Sequence, residues 1–534
     1  MAWRSLLALS KRNKGLSAFS NRISELQHIK SASNLYRGQG ISEVCASNSG
    51  DASDFGSFRP LTSSSTPLEA SPRTSAASAP VLQDCCVEPV AVPASTGTFQ
   101  VDNGEILYAG MTSKELVSTL FNLYLVAYEP VVDLSIKVLK SPLMKPAVFR
   151  IPLLQAVKRT AYSHFCAGEN VAEASATLQR MWELGLKGIL DYSLEDATDN
   201  ACCDKNLQEF LNTINTTLRL PAGSVSFACV KITALCPLPL LERVSDLLRW
   251  RHSHPEQRLL WLHDTLPILA PSSPTYHTAK PPAPLTDAEE RDLRLAEERL
   301  HTLCKACEES ALPLLVDAEY TSVQPAIDYF TYSATLEFNK SAKPLVYGTV
   351  QAYLKDALPR LQLASDEATR RGVQIGLKLV RGAYITRESA LAASLGAPSP
   401  IHSSIQETHR CYDACAAFMM EKAAVAEGSV VLATHNFDSG KAATAKAEEL
   451  NIRKGNDRVQ FAQLKGMADG LSLGLVQAGF LVSKYLPFGP VDHVMPYLIR
   501  RAEENRGLLS TTMADRRRLR TELGRRLQAV IAQG

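Results

Sequence analysis

The sequence predicts an α/β protein whose parallel strands close into a distorted (β/α)8 barrel. Three observations carry that expectation. Eight short apolar or alternating runs of strand length recur along the chain, separated by longer stretches of helical periodicity. That rhythm is the signature of a parallel sheet with crossover helices. Polar side chains then collect at the C-terminal ends of the runs, where such a barrel keeps its active site. The runner-up is a doubly wound open sheet. No G-x-G-x-x-G follows the first run, so a dinucleotide site at that turn has no support.

Taken in order, residues 1–40 open basic, Ser-containing and acid-free up to Glu25, with apolar residues interleaved. That is the composition of an organellar transit peptide, here mitochondrial. Residues 41–105 are rich in Ser, Ala and Pro; they cannot bury a core and read as a disordered linker. Helical spacing starts near Thr112, giving an N-terminal helical region over 106–185. The barrel occupies 186–534, with strands expected at 188–194, 224–232, 312–320, 344–353, 373–380, 429–436, 458–466 and 480–489. Residues 250–290, Pro- and His-rich, break the rhythm between strands two and three and read as an insertion on the barrel. The tail from Asp515 puts Leu519, Leu523 and Leu527 on one helical stripe among six arginines. Two readings stay open for it: an anionic membrane surface, or a cover for the barrel.

Composition narrows the class. With 534 residues, 45% of them hydrophobic and 21% charged, the chain can bury a large core. Away from the basic N-terminus it is slightly acidic, which argues against nucleic acid as a main partner. The 12 cysteines are scattered. Cys304 and Cys307 have no second pair to complete a zinc pattern, so no metal is expected and reduced thiols are the default.

Seven of the eight strands end on polar residues. They are Lys231; Asp317 and Glu319; Gln351 and Tyr353; Lys378 and Arg381; Thr434, His435 and Asn436; Gln463 and Lys465; and Tyr485. Singly, such a lysine is a solvated edge, such an aspartate a helix cap, and such a tyrosine or histidine a satisfied core residue. Together they outline a site. Cations outnumber acids there, so the ligand is anionic. Downstream, Arg500 and Arg501 stand side by side on a helix with Glu504 one turn later. Guanidinium forks clamp carboxylates bidentately. Adjacent helix positions diverge by about 100°, so the two approach one ligand from different sides or one reaches elsewhere.

At these residues the chain resembles the proline dehydrogenase family, through KLVRGAY, LATHN, QLKGM and YLPFG…YLIRRAEENRG over roughly 110–520. The resemblance implies a distorted barrel that binds FAD and oxidises L-proline to Δ1-pyrroline-5-carboxylate, the first step of proline catabolism to glutamate. Hydride would pass from proline C5 to flavin N5, and electrons onward to a membrane quinone. The location implied is the mitochondrion, at the matrix side of the inner membrane, by peripheral association. Carried over residue by residue, the catalytic set is Lys231, Asp317, Tyr485, Arg500 and Arg501. The substrate would also meet Ala383, Tyr384, Leu464 and Glu504. A hydroxyl at ring C4 would crowd Tyr485, so proline is expected over 4-hydroxyproline. Glu195 matches a carboxylate that gates the pocket with Arg500. The flavin would meet Gln351, Tyr353, Lys378, Val380, Arg381, Gly382 and Ala383, with Thr434, His435, Asn436, Lys465 and Glu504 completing the set. Bacterial members commonly carry Arg-x-x-Lys where this chain has Lys378 and Arg381, and Trp where it has Ile385. Asp317 is expected to partner Lys231. Two rivals stand beside this reading: a Schiff-base lysine enzyme built on Lys231 or Lys378, and a non-catalytic amino-acid-binding barrel.

Overall fold

The computed structural model describes residues 99–533, apart from 100, 102, 140, 143–145 and 508. The transit peptide and nearly all of the linker expected before residue 105 lie outside the described residues. The eight strands are β1 Lys187–Tyr192, β2 Val225–Val230, β3 Leu314–Val316, β4 Val346–Gln351, β5 Ile375–Val380, β6 Gly428–Ala433, β7 Val459–Leu464 and β8 Leu481–Phe488. They form a closed, all-parallel barrel in chain order, with β1 pairing β8 across six residue pairs from Lys187↔Ser483 to Tyr192↔Phe488. Each strand falls within its expected run, except that β1 and β6 start one residue early. β3 keeps three residues and pairs β4 at two positions only, which is where the barrel is distorted.

Strand periodicity of two explains the layering. One set of side chains points inward: Ile189, Phe227, Leu315, Tyr347 and Val431 form an apolar floor, with Tyr485 above it. The alternate set, including Leu314, Val350, Leu377, Leu379, Leu432 and Phe461, packs outward against the helices. Two residues beyond the floor, the same inward columns carry Asp191 and Asp317, with Gln351 four beyond Tyr347 and Lys231 four beyond Phe227. The polar layer is therefore the strand pattern continued toward the mouth.

The longer helices are α1 Ser113–Ala127, α2 Glu129–Leu139, α3 Ala147–Val157, α4 Val171–Glu183, α5 Asn200–Thr217, α6 Leu238–Ser253, α7 Asp287–Glu309, α8 Gln324–Phe338, α9 Ala357–Arg371, α10 Ile385–Ser394, α11 Ile405–Ala424, α12 Phe437–Glu449, α13 Asp469–Gln477, α14 Val491–Gly507 and α15 Leu509–Gln533. Their ends follow local chemistry. Thr112 with Glu115, and Thr286 with Glu289, form reciprocal capping boxes at α1 and α7. Gly372, at φ 69°, closes α9 and releases the chain into β5. Residues 254–286 run as an irregular excursion between α6 and α7. Leu266 buries it, and Ser273 donates a 2.6 Å hydrogen bond to Asp356.

Two features close the mouth. The segment before α4 joins the end of β8: the Ala167 amide donates to the Pro487 carbonyl at 2.7 Å, and the Gly489 amide to Gly168 at 2.9 Å. α14 then crosses the opening and packs Val494, Tyr497 and Leu498 on Tyr162 and Phe165. α15 lies against α1. Of the two readings left open for this tail, its contacts favour the cover. Leu519 is buried, and Leu523 packs on the main core. Arg526 donates to the Tyr108 and Met111 carbonyls at 2.8 Å each.

Candidate active site

Lys231 follows β2 directly and points into the barrel. Its ammonium lies 3.2 Å from Asp191 Oδ1 and 3.3 Å from Oδ2. The expected partner was Asp317, so this is a correction. Register would set Lys231 level with Asp317, since Val230 pairs Val316, but Lys378 and the Tyr485 hydroxyl take both oxygens of Asp317, which leaves Asp191, on the other side of β2, to accept from Lys231. Asp317 accepts from the Lys378 ammonium on one oxygen and from the Tyr485 hydroxyl, at 2.7 Å, on the other. Both of its oxygens are thus engaged. Burial opposes its charge, but Lys378, Lys231 and these two hydrogen bonds outweigh that and hold its carboxyl below the usual range. The Lys378 ammonium also sits 5.3 Å from the Tyr485 ring centroid. The tyrosine ring is therefore fixed in place from its hydroxyl end.

The paired arginines diverge as helix geometry requires. Arg500 makes a bidentate pair with Glu195, at 2.8 and 3.1 Å. Arg501 is buried, with its guanidinium 5.2 Å from the Tyr497 ring centroid. The Glu504 side chain lies outside the described residues. The excess of free cations inferred from the strand ends shrinks here. Lys231, Lys378 and Arg500 each already hold a carboxylate, and two of those carboxylates, Asp191 and Glu195, come from β1 and the loop after it. Asp191 was missed because it stands inside the apolar run GILDYSL. Its place two residues after the inward Ile189 is the signal that points to it.

Glu319 lies deeper, 2% exposed, accepting from Thr233 Oγ1 at 2.9 and 3.0 Å. Burial pushes its carboxyl up to about 8 against the opposing pull of Lys231. Its backbone carbonyl accepts from Gln351 Nε2, which also donates to the Tyr353 hydroxyl, both at 2.8 Å. Gln351 Oε1 is buried and has no partner among the described residues.

The second half of the site surrounds the start of α12. Arg381 donates through Nη2 to Thr434 at 2.8 Å and Ser439 at 2.9 Å, and its guanidinium stacks on the Tyr412 ring. Its Nη1 is buried without a partner among the described residues. Asn436 caps α12 through the Ser439 amide at 2.9 Å, so its side chain is spent on the helix terminus. His435 Nε2 accepts the Leu464 amide at 3.1 Å. Burial, then Arg501, lower its pKa to about 3; the ring is neutral, carries its proton on Nδ1, and offers a donor rather than a charge. Lys465 is buried and donates to the Ser163 and His164 carbonyls at 2.9 Å each, so its ammonium ties the mouth segment down. Gly382 has φ +95° with open space around a built Cβ: the backbone turn, not crowding, requires glycine. Val380, Ala383, Tyr384 and Leu464 are partly exposed at the same mouth. Ser439, Tyr412 and Thr233 were absent from the expected set; each lies outside the strand ends.

These features fit an elongated ligand with an anionic centre. A buried guanidinium nitrogen without a partner, a neutral histidine donor and the N-terminus of a 13-residue helix converge as a pyrophosphate would need. The orphaned Gln351 oxygen would suit the N–H edge of a planar ring.

Comparison with known proteins agrees with this architecture. The family described as "Proline dehydrogenase" matches residues 174–514. "Proline dehydrogenase 2, mitochondrial" of Arabidopsis thaliana is 50% identical over 426 residues, covering 79% of this chain and 90% of its own length. "Hydroxyproline dehydrogenase" of Xenopus laevis is 34% identical over 376 residues, covering 70% and 78%. Among solved structures, proline utilization A from Bdellovibrio bacteriovorus, inactivated by N-propargylglycine, superposes with a TM-score of 0.53 at 20% identity. That match covers 76% of this chain and 38% of the bacterial one, and it speaks to the fold.

Proposed function

The chain belongs to the proline dehydrogenase family, and from that premise we infer that it oxidises L-proline to Δ1-pyrroline-5-carboxylate with FAD bound across the barrel mouth. The observation that carries the reading is the pairing of two half-sites on one rim. Arg500 and Arg501, beside Glu195 and Tyr497, would take a carboxylate, and Arg381 with the start of α12 would cradle a pyrophosphate. The 50% identity to a plant proline dehydrogenase supports proline over hydroxyproline, as does the crowding expected at Tyr485.

The residues divide the work. Arg500 and Arg501 would receive the substrate carboxylate, which must join or displace Glu195 on Arg500. Tyr485, locked by Asp317, offers a fixed ring face to the pyrrolidine. Lys231, neutralised by Asp191, fills the wall without adding net charge. The flavin, when bound, supplies the two-electron acceptor for the C5 hydride. Gln351, Lys378 and Arg381, with His435, would hold it, and Val380 and Gly382 would leave room for it. The amine proton must leave before or with the hydride, since a cationic nitrogen cannot form the C=N bond. The residues here chiefly orient and desolvate.

We place the enzyme in the mitochondrion, at the matrix side of the inner membrane, with a quinone as electron acceptor. Its relatives named mitochondrial support the compartment. No helix among the described residues is long and apolar enough to cross a membrane, so contact would be peripheral. Val117, Phe121 and Tyr128 stand exposed around α1 and offer an apolar face for it.

The test is an absorbance spectrum before and after anaerobic addition of L-proline. A flavin spectrum that bleaches with proline and not with 4-hydroxyproline is expected. In Arg501→Met the flavin should remain bound while bleaching needs far more proline. A colourless protein that FAD cannot restore would return the lysines to a Schiff-base role.

A further inference from the structure

The rim beside the proline pocket carries a stack that the reaction has not used. Tyr384, which leads into α10, turns its ring edge-on to Tyr320, with centroids 6.0 Å apart at 77°. Tyr320 is buried at the end of the β3 segment, three residues after Asp317. On Tyr320 lies the Arg387 guanidinium, 3.4 Å from the ring centroid. Arg387 is exposed, and its charge also reaches Asp196, a non-glycine residue held at φ 56° immediately after Glu195. The stack thus joins two loops, the one bearing Asp317 and Glu319 and the one bearing Tyr384, and the Arg387 charge is felt at the one bearing Glu195.

Neighbouring residues separate the structural task from this one. Glu388 is fully buried, accepts the Thr321 amide at 2.8 Å and also accepts the Thr321 hydroxyl. Those bonds already lock α10 to the loop after β3. Arg387 is not needed for that lock. What it adds is a planar cover on the solvent side of Tyr320, which fixes the ring against which Tyr384 rests. Arginine suits that role because its flat guanidinium stacks, whereas an ammonium is a hydrated point charge.

We propose that Arg387 and Tyr320 are positioning residues for proline binding: their stack holds Tyr384 as the outer wall of the pocket and so sets how tightly the substrate ring is gripped. The proposal rests on the proline-oxidising reading above. It assigns these two residues no chemistry, only the placement of a side chain that meets the substrate.

The experiment uses the full-length flavin-loaded enzyme and steady-state kinetics with L-proline. Arg387→Gln and Tyr320→Leu should raise KM about threefold to tenfold, the range a lost cation–π or ring contact at a partly wet rim produces. Flavin content should be unchanged and kcat at saturation within about twofold. Tyr320→Phe, which keeps the ring, should restore the parent KM. Tyr320→Leu should also improve the relative use of the six-membered homologue, pipecolate. Arg387→Lys decides the cause: it should behave as Arg387→Gln. If lysine restores the parent KM, charge and not stacking is at work and the proposal falls. It falls equally if Arg387→Gln and Tyr320→Leu lower the melting temperature but leave KM and ring preference alone. Failure of the parent enzyme to bleach with proline would instead overturn the functional reading itself.

Discussion

Glu319 shows what one buried carboxyl does to the molecule's pH response. In the unfolded chain it would titrate near 4.3, whereas in the fold burial raises it to about 8. Between those values the folded state keeps a proton the unfolded state has released, so stability falls as pH rises through that window. Glu319→Gln removes the titration. Its melting temperature relative to the parent should therefore improve from pH 5 to about pH 8 and level off above that. Parallel curves would mean that the carboxyl is already ionised in the fold. Residues of this kind were only partly legible. Lys231, Asp317, Gln351, Lys378 and Tyr485 announced themselves as a set, because polar residues ending seven of eight apolar runs are hard to explain one at a time. Who pairs with whom did not. That Lys231 pairs with Asp191, and Lys378 with Asp317, depends on how the closed barrel shares its carboxylates among neighbouring strand ends. The pairing of Glu195 with Arg500, 305 residues away, came from the family resemblance and not from the residues themselves.

Elements were legible where their periodicity was strong. All eight strands follow from alternating or continuous apolar runs, and the start of α1 from helical spacing near Thr112, whereas Asn436, expected at the flavin, caps α12. The contacts of α14 and the mouth segment could not be read, because they join pieces of no shared periodicity. Lys465 joins the end of β7 to the mouth segment. It was expected near the cofactor, yet its ammonium satisfies two backbone carbonyls of residues 163 and 164. Lys465→Met would leave those carbonyls buried and unpaired, at a cost of about 2 kcal/mol. Urea denaturation should show the loss, and limited proteolysis should cut faster near residue 163. A variant as stable as the parent would show the tether to be idle.

At the scale of the whole molecule, the helices before β1 and after β8 meet on the same side. α15 packs on α1, and its arginines have partners: Arg520 reaches the Tyr124 hydroxyl at 3.3 Å, and Arg525 and Arg526 hold the buried Glu522 of the same helix. A chain cut after Ala514 should lose thermal stability, because Leu519 and Glu522 leave a bare groove. Its sedimentation with anionic liposomes should persist, since the exposed apolar side chains on α1 remain. If binding disappears while the protein stays folded, the tail and not α1 is the membrane contact.

Closure between the first and last strands also sets a schedule for synthesis. β1 cannot find its second neighbour until residues 481–488 have left the ribosome, and residues 167 and 168 wait for 487–489. During that interval the nascent sheet keeps a bare edge, a template for pairing with the wrong chain. A premature stop before β8 would therefore yield no smaller enzyme. It would yield an open sheet with two free edges and no arginine pair, a substrate for chaperones and proteases.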